Sequence, residues 1–167
     1  MKFAWTVLLP CAVLLVSCEG KKPAPATIPD PPPVVGRKIP LSEYERGIIS
    51  VNGHKIDVYI ARNPEEQEEG LMFTEYNGLG KDEGMIFVFD EIAPVSFWMR
   101  NTIQPLDIAF IKANGVVANI RTMQAMDETS QPSEGPVKYA VEVHDGWYKE
   151  HGVKAGAKFD LSGIKAK

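Results

Sequence analysis

Cysteine is scarce in this sequence, and its placement removes several chemistries at once. The 167 residues hold two, Cys11 and Cys18, both close to the N-terminus. The rest of the chain therefore has no thiol for nucleophilic catalysis, cysteine-bound zinc, disulfides or redox exchange. Histidine is nearly as sparse. His54, His144 and His151 form neither H-x-x-x-H nor H-E-x-x-H, so no metal and no cofactor is assigned. Positive charge is short too: 18 Lys and Arg stand against 22 Asp and Glu, a formal charge of −4. Without a basic patch to neutralise phosphates, nucleic acid is set aside as a partner. No serine sits in G-x-S-x-G, the glycines form no phosphate loop, and no internal repeat is found. No apolar run reaches the length of roughly 20 residues that a spanning helix needs.

What is present begins with M-K-F-A-W-T-V-L-L-P-C-A-V-L-L-V-S-C-E-G. Lys2 followed by the apolar stretch Phe3 to Val16 has the anatomy of an export signal. Leu15-Val16-Ser17-Cys18 resembles the lipobox of bacterial lipoproteins. The resemblance implies that residues 1–17 are removed and that Cys18 is lipidated, anchoring the protein to a membrane. Each buried acyl methylene contributes about 0.8 kcal/mol, so two or three chains hold firmly. Cleavage takes Lys2 away and shifts the formal charge from −4 to about −5. Glu19, where an aspartate would favour the inner membrane, points to the outer membrane facing the periplasm in a Gram-negative cell. Residues 18–40 then read as a tether. Seven of the thirteen prolines fall between Pro23 and Pro40, which rules out helix and sheet interior. In polyproline II geometry the tether spans roughly 70 Å, at about 3.1 Å per residue.

Residues 41–167 carry the folded domain. Asn52-Gly53 between R-G-I-I-S-V and H-K-I-D-V-Y-I is a strong hairpin signal, since both residues tolerate positive φ. Asn63-Pro64-Glu65-Glu66 reads as a cap, a first-turn proline and a capping-box glutamate opening a short helix that ends near Gly70. Further strands are expected over residues 84–89, 95–99, 106–112, 116–121, 137–143 and 158–161, with a hairpin at Ala113-Asn114-Gly115. Asp145 is expected to cap a short helix that Gly152 stops. About seven strands and two short helices make a β-rich α+β domain, a curled antiparallel or mixed sheet or a small barrel.

Four stretches stand out: E-G-L-M at Glu69 to Met72, G-M-I-F-V-F at Gly84 to Phe89, F-W-M-R-N-T-I-Q-P-L-D-I-A-F-I at Phe97 to Ile111, and K-Y-A-V-E-V-H-D-G at Lys138 to Gly146. In order and spacing they resemble the uncharacterised prokaryotic family called domain of unknown function 192, over residues 47–162. The resemblance implies a compact, mostly β domain, often behind an export signal, and no established activity. Two positions depart from the family habit. Glu69 stands where arginine is common before G-L-M, and Ala157 follows Gly156 where an acidic residue is common.

The candidate site residues come from these stretches. Strand alternation puts Trp98 on the face opposite Phe97 and Met99, where it packs or lines a pocket. Asn101 suits a turn before Pro105. Asp107 and Glu142 are carboxylates in apolar strands, with His144 just beyond. Converging at one sheet end, Asp107 and Glu142 would form an acid–base pair, assisted by Asn101 or His144. Binding is assigned to Trp98, Asn101, Asp107, Glu142 and His144. Exposed Trp98, Trp147 or Tyr148 would favour sugar stacking. The leading expectation is a non-enzymatic binding or accessory module of the cell envelope, with a glycan, a peptidoglycan fragment or another envelope protein as ligand. The alternative is a small hydrolase or lyase using Asp107 and Glu142.

Overall fold

The computed structural model describes residues 36–164. The expected signal peptide, Cys18 and most of the expected tether lie outside the described residues. In chain order the elements are β1 (Glu45–Val51), β2 (His54–Ala61), α1 (Pro64–Glu69), β3 (Glu83–Ala93), β4 (Ser96–Phe97), β5 (Leu106–Ile111), β6 (Val117–Met123), β7 (Gln131–Pro132), β8 (Val137–His144), α2 (Trp147–Glu150) and β9 (Phe159–Asp160). Among the described residues no helix is long and apolar enough to cross a membrane.

Seven strands form one sheet in the order β6-β5-β8-β3-β2-β1-β9, and β4 pairs with β7 as a separate ribbon. The β1–β2 hairpin turns at Asn52-Gly53 as the sequence predicts, with φ of 50° and 82°. The next pairing is parallel, β2 with β3. A parallel neighbour needs a crossover, and α1 with residues 70–82 provides it. Asn63 Oδ1 accepts from Glu66 N at 2.9 Å while Asn63 N donates back to Glu66 Oε2, completing the expected capping box.

The sheet is curled far enough that its ends meet. A bridge joins Val116 to Lys158, Phe159 N donates to Gly115 O, and Gly156 N donates to Val117 O, each bond 2.9 Å long. Gly115 allows the contact, because a Cβ there would sit 2.9 Å from the Phe159 carbonyl oxygen. The expectation of a curled mixed sheet or small barrel is therefore met by a half-barrel.

Both faces of the sheet are covered. On one, Ile49, Ile56, Val58, Ile86 and Val141 pack with Trp147 and Tyr148 of α2. On the other, Met85, Phe87, Leu106, Ile108 and Phe110 pack under Leu71, Leu79 and Met99. This double burial explains why β5 is apolar almost throughout and buried at all six positions. Each large aliphatic or aromatic side chain so buried contributes about 1.5–3 kcal/mol.

Three local expectations are corrected. The strand expected over 95–99 is only Ser96–Phe97, since Pro94 precedes it and Met99 N turns away to Asp127 O. Asp145 does not cap α2: Gly146 holds the cap position, and its N–H is taken at 2.9 Å by Asp107 Oδ2 from β5. The end of the expected tether, residues 37–39, is bonded to the folded domain. Arg37 Nη1 donates to the carbonyls of Gly70 and Met72 at 3.0 and 2.8 Å, and the amides of Lys38 and Ile39 donate to the Glu69 carboxylate.

Candidate functional site

The second sheet face is roofed by α1 and by loops, and between them lies a cleft of about 290 Å³. One wall is the end of α1 and its continuation, Glu68 to Met72. The other is Phe97, Trp98 and Thr102. Phe87 and Glu142 line it from the sheet beneath. The two walls are tied together, because Phe73 N donates to Asn101 O at 2.8 Å. Asn101 makes that bond with φ of 55°, a left-handed conformation asparagine tolerates better than most residues.

The placement of Glu142 follows from register. It pairs with Met85 of β3 and Ile108 of β5, so it shares the face of those two apolar side chains. Only 4% of it is exposed. No hydrogen bond or ion pair engages its carboxyl among the described residues, so burial alone acts on it and pushes its pKa from 4.5 to about 8. At neutral pH the group is mostly protonated. Gly84 lets β8 come this close to β3, since a Cβ at that position would collide with the Glu142 carbonyl oxygen.

Asp107 is on the other face of the sheet. It pairs with Val143 and Thr122, where Glu142 pairs with Ile108, and adjacent positions along a strand point oppositely. Its Oδ1 accepts from Thr122 Oγ1 at 2.6 Å and its Oδ2 from Gly146 N. Burial raises its pKa against those bonds. The role this supports is to hold the start of α2. The acid–base pair of Asp107 and Glu142 is thus not assembled, since the two carboxyls open to opposite sides.

The other candidates divide. Trp98 is 43% exposed at the cleft rim, with the Arg100 guanidinium 3.9 Å from its ring centroid. Trp147 and Tyr148 are 2% and 1% exposed and offer no stacking surface. His144 Nε2 donates to Leu79 O at 2.6 Å, fastening the 70–82 crossover to β8. Asn101 ties the walls through its backbone. Wall residues such as Glu68, Glu69, Phe97 and Thr102 are not among the candidates that side-chain type picks out for binding. The signal was available, since all but Glu68 fall inside the quoted motifs E-G-L-M and F-W-M-R-N-T. Glu69 is buried, with its carboxylate on the Lys38 and Ile39 amides and Arg37 3.8 Å away.

Two further concavities differ in character. One of about 480 Å³ lies by Asp107, Thr122 and Tyr148 on the opposite face. Another, of about 350 Å³, lies by His54, His151, Asp57 and Asp82. Among the described residues no three His, Asp or Glu stand together as a metal set.

Fold and site together define a small curled-sheet domain in which motif-bearing loops roof one buried carboxyl. The chain belongs to the family DUF192, described as an uncharacterized ACR, whose model matches residues 47–161. Two solved structures are similar to it. A protein of unknown function from Novosphingobium aromaticivorans DSM 12444 is 34% identical with a TM-score of 0.69, over 77% of this chain and 94% of that one. A protein described as a putative transcription regulator from Sinorhizobium meliloti 1021 is 32% identical with a TM-score of 0.68, over 72% and 97%. No curated protein matches the chain.

Proposed function

We propose that the protein is a lipid-anchored, non-enzymatic binding module of the bacterial cell envelope, whose cleft takes a small hydrogen-bonding ligand such as a glycan or peptidoglycan fragment. The observation that carries the reading is Glu142, a buried carboxyl without a partner that opens into a cleft. Burying such a group costs stability unless something hydrogen-bonds it, and a ligand supplies that bond. The cleft lies at the small end of ligand sites, which begin near 300 Å³. Exposed Trp98 at the rim suits the flat face of a sugar. Catalysis has less support, because Asp107 is engaged on the opposite face by Thr122 and Gly146. Nucleic acid has none, given the formal charge of −4 and the glutamates at the cleft.

The anchor is read from Leu15-Val16-Ser17-Cys18, and the outer membrane from Glu19. Fractionation of cells carrying Cys18→Ser tests it: the wild type sediments with membranes, the variant does not, and equal partition of the two refutes the anchor. The cleft is tested by thermal unfolding of the purified protein against glycans, muropeptides and divalent cations. A ligand at 100 times its Kd adds about 2.7 kcal/mol and raises the midpoint by several degrees. The shift is expected to vanish in Trp98→Ala and Glu142→Gln. A shift that survives both substitutions removes the cleft from the account.

A further inference from the structure

We infer that the ligand of this cleft carries a positively charged amine, which seats against Glu142 and releases a proton as it binds. The inference rests on the cleft being the binding site and names the chemistry of its occupant.

Two observations meet here. The first is the distribution of charge. The lining contains Glu68, Glu69 and Glu142 and no lysine, arginine or histidine. The nearby cations are already engaged. Arg37 is spent on the Gly70 and Met72 carbonyls behind the wall, and Arg100 is bound by Glu128 at 2.7 Å. An anionic ligand would find no cation in the lining, whereas an ammonium would find the Glu142 carboxyl, which no protein group balances. The second is the aromatic surround. Phe87 and Phe97 stand edge to face at 4.8 Å, and Trp98 already accepts the Arg100 guanidinium over its ring. Aromatic faces stabilise cations, more so where water is excluded. A volume of about 290 Å³ fits one monosaccharide or one amino-acid side chain, so the shared chemistry is a primary ammonium on a short carbon skeleton.

The proton balance follows. The Glu142 carboxyl enters the reaction protonated, the ammonium arrives with its own proton, and the pair that forms is carboxylate with ammonium. The carboxyl proton goes to solvent. Binding therefore tightens by about tenfold for each unit that the pH rises toward the Glu142 pKa of about 8. The other groups around Glu142 are accounted for. Glu68 is exposed at the rim, Glu69 is held by two amides, and His144 is bonded to Leu79 O. From the opposite face, Tyr148 donates to Val141 O and Asp107 accepts from Thr122 and Gly146.

Calorimetric titration at pH 5.5 and 6.5, in two buffers of different protonation enthalpy, tests this with three probes. Glucosamine and Nα-acetyl-lysine amide present the ammonium from a sugar and from a side chain, and N-acetylglucosamine is the neutral analogue. One of the ammonium probes is expected to bind about tenfold tighter at the higher pH, releasing close to one proton. The neutral sugar should bind more weakly. Glu142→Gln, with its cooperative unfolding checked, should abolish the proton release and the pH dependence. The better ammonium probe identifies the source. Tight binding of N-acetylglucosamine without proton release overturns the ammonium inference and leaves the cleft as a sugar site. Ammonium binding unchanged in both Glu142→Gln and Trp98→Ala overturns it by moving the cation elsewhere. Absence of binding by either ammonium probe at about 10 mM overturns it outright, and the muropeptide and glycan melts then decide separately whether the cleft binds anything.

Discussion

Glu142→Gln keeps the size of a buried side chain and deletes its proton equilibrium, so it isolates what the carboxyl does to the fold. In the native protein burial lifts its pKa to about 8, against 4.5 for a free glutamate. A raised carboxyl pKa means that the folded state holds a proton the unfolded chain has already lost. The stability of the wild type is therefore complete below pH 4.5 and declines as pH rises toward 8. Each pH unit in that window costs about 1.4 kcal/mol, so the loss is about 3 kcal/mol by pH 7 and about 5 kcal/mol above pH 8. The glutamine amide has its own burial cost of about 1–3 kcal/mol, but that cost does not change with pH. Other titrating groups occur in both proteins and cancel in the comparison. Urea unfolding followed by tryptophan fluorescence at pH 4.5 and pH 7 gives the difference directly. The variant should gain about 3 kcal/mol on the wild type between the two conditions. A difference that stays flat with pH would refute the reasoning, because it would mean that the carboxyl is hydrated or paired in the folded protein.

Other expectations follow from single contacts. Asp107→Ala removes the acceptor of Gly146 N and Thr122 Oγ1, and should cost about 2–3 kcal/mol in chemical unfolding while leaving ligand-induced shifts at the cleft intact. Gly84→Ala puts a methyl group against the Glu142 carbonyl and should cost at least about 2 kcal/mol, read as a lowered midpoint, since β3 and β8 must move apart. Arg37→Ala leaves two backbone carbonyls and a buried Glu69 without their cation. A loss of about 1–3 kcal/mol is expected, with faster amide exchange at residues 70–74.

Much of this architecture is legible in the chain because local chemistry specifies it. Asn52-Gly53 dictates a two-residue hairpin, Asn63 and Glu66 form their capping box, and Asn114-Gly115 turns β5 into β6. The continuous apolar run at residues 106–111 marks a strand buried on both faces. What escapes the sequence depends on register and long-range pairing. Nothing local says that β2 and β3 run parallel, nor that residues 115–117 meet 156–159 to close the curl. Asp107 and Glu142 look equivalent as lone carboxylates in apolar strands. Only the pairing of Ile108, rather than Asp107, with Glu142 separates them, giving one a structural anchorage and the other a cleft. Arg37 escapes for another reason: the prolines before it read as spacer, and its acceptors lie more than thirty residues away. The motifs Glu69 to Met72 and Phe97 to Ile111 signal the family at once. That the first of them and residues 97–102 of the second form facing walls needs three-dimensional contact to see.

Ligand is proposed to enter between those two walls. Amide and indole chemical shifts in the isotope-labelled protein, followed as muropeptides, glucosamine and lysine amide are titrated in, test this most directly. The account predicts that the Trp98 indole N–H and the amides of residues 68–73 and 97–102 move together, while His54, His151 and Tyr148 stay in place. Shifts gathered instead around Asp107 and Tyr148, or around His54 and His151, would contradict it and move the binding site to another surface of the fold.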